Sequence, residues 1–151
     1  MKARHQARIA ALQALYEIDC TDHSASTVLE QRLAANSLTK SAAAFTRRLV
    51  DGVLEHQTVL DTFIHRHAPE WPLEQMAYID RNILRMAIFE FAIDGRTPVK
   101  VAINEAVELA KSFGSDSAPR FINGVLGTLV DYQETISQAV EKRQEKEGGH
   151  R

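Results

Sequence analysis

Residues 99–126 read VKVAINEAVELAKSFGSDSAPRFINGVL, and the period of their apolar side chains decides the fold class. Val99, Ala102, Ile103, Ala106, Val107 and Ala110 recur at i, i+3, i+4, i+7 spacing, the pattern of one buried helix face. Thr97-Pro98 reads as an N-cap followed by proline at the first helical position. Phe113-Gly114 breaks the pattern, Ser117 is placed to cap a second helix, and Pro119 falls in its first turn. Phe121, Ile122, Val125, Leu126 and Leu129 then resume the helical period. One pair argues otherwise. Asn123-Gly124 is a hairpin signal when alternating strands flank it. Here both flanks have a helical period, so the pair is assigned to helix. Gly124 then costs that helix about 1 kcal/mol relative to alanine, and close approach of another helix at Gly124 and Gly127 is the expected compensation.

The same period extends through the rest of the chain. A first helix is expected over residues 3–19, with Ala7, Ala11, Ala14, Leu15 and Ile18 as its stripe. Ser24 or Ser26 can cap a second, ending near Leu33. Thr39 or Ser41 can open a third, with Phe45, Leu49, Val50, Val53 and Leu54 inward. A short fourth covers 58–67. Pro69 and Pro72 bracket Trp71, which reads as a turn holding an aromatic plug. The fifth, about 76–93, has so broad an apolar face that it is expected at the centre, and Asp94-Gly95 ends it through a left-handed cap. The last helix is expected to run toward Val140. Strand patterns are nearly absent. The expectation is an all-α protein of about seven helices, a single helical domain over residues 1–140 with a polar flexible tail over 141–151.

The 151 residues are 44% hydrophobic and 25% charged, with a net charge of −2. That is enough apolar material for one core. It argues against nucleic-acid binding by bulk charge, so an anionic partner must be held by a local patch. No apolar run is long enough to span a bilayer. The opening MKARHQARIAALQALYEID is basic and then apolar, but Gln13, Tyr16, Glu17 and Asp19 interrupt it, so it reads as an amphipathic helix and not a signal sequence. The single cysteine, Cys20, fits a reducing cytoplasm.

A local basic patch does exist. Lys2, Arg4 and Arg8 precede the first acidic residue. Arg4 and Arg8 share a helix face, on a line continued by Ala11 and Leu15. They stand in the first turns of a helix, where the macrodipole disfavours cations. Either they await an anion, or they are a solubilising terminus. Arg120 and Phe121 form a second candidate, a cation and an aromatic at a helix start. Such a start can hold a phosphate and an exposed ring can stack on a base. Equally, Phe121 fits the core pattern. Catalytic and metal motifs are missing. His65 and His67 face different ways, Cys20 and His23 lack a third partner, and no zinc spacing, phosphate loop or nucleophile elbow occurs. No catalytic residue, metal ligand or cofactor is therefore assigned. Glu105, in an otherwise apolar helix, is either solvated or makes an internal polar contact at a helix junction.

INEAVELAKSFG at 103–114 and RFINGVL at 120–126 resemble the signature of the bacterial transcription antitermination factor NusB family. ARIAALQALYEID at 7–19 resembles that family's arginine-rich opening, and IDRNILRMAIFEF at 79–91 its central segment. The resemblance spans roughly residues 3–130, with 20–70 matching in helical pattern only. It implies two small helical bundles packed across each other. It also implies binding to boxA RNA, a heterodimer with NusE (small-subunit ribosomal protein S ten), and read-through by RNA polymerase, notably in ribosomal RNA operons, with no enzymatic step. Lys2, Arg4 and Arg8 then correspond to the RNA-binding head, Arg120 and Phe121 to the basic-aromatic pair near RNA, and Tyr16 and Asp80 to the NusE-facing surface. A homodimer is also open. The competing class is a helical protein-interaction adaptor without direct RNA binding. A third, the N-terminal domain of a ribosomal RNA cytosine methyltransferase, needs a methyl-donor-binding domain that these 151 residues do not contain.

Overall fold

Asn82 to Ile88 are all buried in one helix, and the rest of the chain is arranged around it. The computed structural model describes the backbone at residues 2–68 and 75–148 and the side chains at 3–68 and 75–146. The turn expected around Pro69, Trp71 and Pro72, and the side chain of Lys2, lie outside the described residues. Within them there are eight α-helices and no strand: α1 Lys2–Cys20, α2 Ala25–Ala35, α3 Lys40–Glu55, α4 Gln57–His67, α5 Tyr78–Ile88, α6 Val99–Phe113, α7 Ala118–Leu129 and α8 Gln133–Gly148. None is long and apolar enough to cross a membrane.

α1, α2 and α3 pack on one another, α6 and α7 pack on each other, and α5 touches both groups. α4 and α8 close the far side against α7 and the end of α5. This gives the two bundles the resemblance implies. α1 buries Ala7, Ala10, Ala11 and Ala14 completely. A stripe of methyl groups lets the neighbouring backbones come close, so α1 can be gripped by α3 and α5 together.

The termini of the elements follow local chemistry. The Thr39 hydroxyl accepts the Ala42 amide at 3.1 Å and caps α3, which settles the choice between Thr39 and Ser41. Gly95, at φ 70°, ends α5 in the left-handed conformation, its amide donating to the Glu90 carbonyl. Thr97 does not cap α6. Pro98 takes the N-cap position, and the Thr97 hydroxyl turns inward to Glu90. α5 itself does not end as a plain α-helix, because Phe89–Asp94 widens into a π turn. The last helix is also interrupted, by a 3₁₀ turn at Val130–Tyr132, and α8 continues regularly to Gly148, beyond Val140.

The glycines of α7 correct an expectation. A Cβ at Gly124 or at Gly127 would meet nothing within 4 Å, so among the described residues no helix approaches there. Their face is open surface. The close approach is elsewhere: a Cβ at Gly52 would lie 2.2 Å from the Phe89 ring, where α3 rests on the π turn.

Candidate nucleic-acid and partner interface

Arg8 lies one turn into α1 and is only 4% exposed. Its Nε donates to Glu90 Oε2 at 3.0 Å and its NH2 to Glu90 Oε1 at 2.7 Å. Glu90, on the π turn, is 2% exposed and also accepts the Thr97 hydroxyl at 2.9 Å. The fork-to-carboxylate geometry is what makes a buried pair tolerable. The spacing of Arg4 and Arg8 predicts two surface cations, either awaiting an anion or making the terminus soluble. For Arg8 the structure shows a buried ion pair between the two bundles, because the core of α1 extends back to Ala7 and the arginine is already neutralised. Arg4 remains exposed, its guanidinium 4.2 Å from the centre of the Phe45 ring. That contact fixes the cation without neutralising it. His5 sits between them with Nδ1 3.0 Å from Glu105 Oε2. Glu105 thus makes the internal contact at a helix junction, tying α6 to α1.

The second candidate stands at the start of α7. Arg120 is exposed and Phe121 half-buried, its ring packed against the core. Both line a groove of about 400 Å³ with Met76, Ala77, Asp80, Ser115 and Ala118. Phe121 is therefore neither a free platform nor a core residue. One side of it supports the α6–α7 turn and the other faces the groove.

Asp80 belongs to this groove. Its Oδ1 is buried, has no hydrogen-bond partner, and would stand 3.3 Å from a Cβ on Gly114. Burial raises the pKa of its carboxyl. Tyr16, placed with Asp80 on one surface by the resemblance, lies edge-on to Tyr78, two residues before Asp80 on α5, with ring centres 6.2 Å apart. Both tyrosines are more than two-fifths exposed. Arg81 covers the Tyr78 ring at 4.4 Å. α5 thus presents Tyr78 beside Tyr16 and Asp80 under the α6–α7 turn, and Asp80 neighbours Arg120 and Phe121.

Beneath the tyrosines lies a polar cluster that periodicity did not reveal. Arg81 holds Asp19 with two hydrogen bonds of 2.6 Å, and the Asn82 amide reaches the same carboxylate at 2.9 Å. Arg85 joins Asp19 to Asp61, at 3.1 Å and 2.7 Å. Burial by itself would raise the Asp19 carboxyl. The hydrogen bonds from Arg81 and Asn82 and the charges of Arg85 and Arg81 outweigh it and hold the group below its ordinary range. The available signal was charge inside an apolar face: Arg85 and Glu90 interrupt an otherwise hydrophobic helix, and such residues are seldom buried unless paired.

A family model described as the NusB family matches residues 5–131. The transcription antitermination protein NusB of Chloroflexus aggregans is 54% identical over 129 residues, 84% of this chain and 86% of that protein. That of Bacillus subtilis is 44% identical over 126 residues, 83% of this chain and 93% of that protein. Among solved structures, T. maritima NusB superimposes with a TM-score of 0.76 at 30% identity, covering 89% of this chain and 90% of that one. A structure described as antitermination factors NusB and NusE in complex with double-stranded RNA matches with a TM-score of 0.77 at 25% identity, covering 92% and 98%.

Proposed function

The chain belongs to the NusB family, and from that we infer that it is a transcription antitermination factor that binds RNA in company with NusE. Its RNA is of the boxA type, its setting the polymerase elongation complex in the cytoplasm, notably on ribosomal RNA operons. It has no catalytic step. The observation that carries this reading is that the family match, residues 5–131, takes in α1 from His5 onward, the centre of α5 and the start of α7. Arg4, Arg120 and Phe121 are exposed or half-exposed and are assigned to RNA together with Lys2. Arg8 acts on the RNA surface indirectly, by anchoring the first turns of α1 to Glu90. Tyr16, with Tyr78 beside it, and Asp80 are assigned to NusE. Both surfaces are assigned to residues 1–140, and neither to the exposed residues 141–146 at the end of α8.

A net charge of −2 opposes RNA binding by the free chain, because the bulk field repels phosphates while only a local patch attracts them. NusE is expected to add contacts or align the patch. The test is titration of boxA RNA into the chain with and without NusE, followed by fluorescence anisotropy. Tight binding only with the partner supports the reading. Partner binding with no contribution of this chain to RNA affinity would replace it by the adaptor reading.

A further inference from the structure

Arg48 and Arg96 lie far from the basic head in sequence, yet the fold brings them to it. A cavity of about 310 Å³ is lined by Arg4, Arg8, Arg48 and Arg96, with Glu105 and the start of α6 completing its wall. Phe45 is the organising residue. The guanidinium carbons of Arg4, Arg8 and Arg48 stand 4.2, 5.1 and 5.1 Å from its ring centre. Three cations are thus held around one aromatic although like charges repel.

The four arginines are not equally engaged. Arg8 is saturated by Glu90, as described above. Arg48 Nε is buried and makes no hydrogen bond, standing 3.5 Å from Asp94 Oδ1. Arg96 Nε is 3.8 Å from the same oxygen, and its side chain is 69% exposed. A single carboxylate shared at those lengths leaves both forks with donors to offer. The carboxylates ion-paired with these four arginines are Glu90, Asp94 and Glu105, one fewer than the cations. The start of α6 forms part of the wall without a side-chain cap, adding partial positive charge.

We propose that this cavity is a phosphate-binding site, in which Arg48 and Arg96 extend the track begun by Arg4 across α3 to the start of α6. Its chemistry suits a phosphodiester of single-stranded RNA, and on that source it rests on the RNA function proposed above. A free phosphate would find the same donors. Planar forks recognise phosphate oxygens two at a time, and one ring-mounted and two loosely paired guanidiniums provide that from three directions.

Two measurements decide it. The first follows boxA RNA affinity against salt, with NusE present, for the wild type, Arg48→Gln, Arg96→Gln, the double variant and Arg4→Gln. Arg66→Gln, on α4, sets the scale of a bulk charge effect. Each lost phosphate contact should lower the slope of log affinity against log salt by about 0.7. Arg48→Gln and Arg96→Gln should each do so, the double variant by about twice as much, and Arg66→Gln hardly at all. Thermal melts confirm folding, and the exposed Arg96 keeps the test valid if Arg48→Gln is destabilised. The second follows the arginine Nε–Hε resonances of the free chain during titration with inorganic phosphate. Movement of the Arg48 and Arg96 signals with unchanged RNA slopes assigns the site to free phosphate. Unchanged slopes with unmoved signals overturn the proposal, even if Arg4→Gln weakens RNA. If the wild type itself contributes nothing to RNA binding, the RNA function falls separately, and the phosphate titration alone decides the cavity.

Discussion

Arg4 and Arg8 are one helical turn apart and do opposite work. Truncating Arg8 leaves Glu90 charged and unpaired in the interior. Arg8→Ala should therefore cost about 3–5 kcal/mol of stability, read by denaturant unfolding. Arg4→Ala should change stability by little more than about 0.5 kcal/mol and reduce the salt slope of RNA binding by about 0.7. Equal melting temperatures for the two variants would contradict the buried pair. Asp80 obeys a different balance. Its folded pKa lies above the ordinary 3.8 because of burial, so the chain loses stability as pH rises from about there through the folded value. Asp80→Asn should raise the melting temperature at neutral pH, with the gain vanishing below the ordinary carboxylate range, and should weaken NusE in a calorimetric titration. A gain that persists in acid would show that ionisation is not its cause. Phe121 is half-buried, so Phe121→Ala should cost less than the roughly 3–5 kcal/mol of a fully buried phenylalanine. It should also weaken RNA by about 1–3 kcal/mol with little change in salt slope. Normal RNA affinity in the folded variant would remove Phe121 from the interface.

At the scale of the element, α7 and α3 each carry glycine for different reasons. Gly127 on α7 has open space around it, so alanine there gains helix propensity and meets no obstacle. Gly127→Ala should stabilise by about 1 kcal/mol, which is about 2–4 °C in melting temperature for a chain of this size. Gly52→Ala must displace the Phe89 ring and should destabilise by about 1–3 kcal/mol. The pair of melts separates an exposed glycine from one at a helix crossing. The π turn at Phe89–Asp94 belongs to the same scale. It sets Glu90 facing the buried Arg8 and Asp94 facing Arg48 and Arg96, so one irregular turn after α5 supplies the carboxylates for three arginines. π turns commonly occur at functional sites.

For the whole molecule, the two bundles meet through polar contacts as well as apolar ones. Arg8–Glu90 and His5–Glu105 link α1 to the second bundle, and Asp19 with Arg81 and Arg85 does so at the other end of α1. The basic end and the tyrosine end of α1 are thereby held in fixed relation, which a factor bridging RNA and a protein partner requires. Residues 141–146 are all exposed, so a chain truncated after Val140 should keep its RNA and NusE affinities within about twofold, with a small loss of melting temperature as α8 shortens. A large loss of either affinity would place a binding surface in the tail.

The sequence by itself determined the helical class, the central place of α5, most helix starts and stops, and the family. Those follow from period and from caps, which are local: Thr39, Asp94-Gly95 and the spacing of Val99 to Leu126 act within a few residues of themselves. It singled out Arg120 and Phe121 but left open whether Phe121 belongs to the core, and the structure finds it half-buried. Tertiary structure decided which charges are free. Arg4 and Arg8 look alike along the chain, and only the arrival of Glu90, 82 residues away, makes one a core ion pair. The same holds for Asp80, which the fold sets beside Gly114, and for Gly124, whose helix has no partner on that face among the described residues. Arg48 and Arg96 carry no local mark at all. A charge pair forms across whatever distance the packing closes, and the hydrophobic period that reveals a helix says nothing about which polar group will stand opposite.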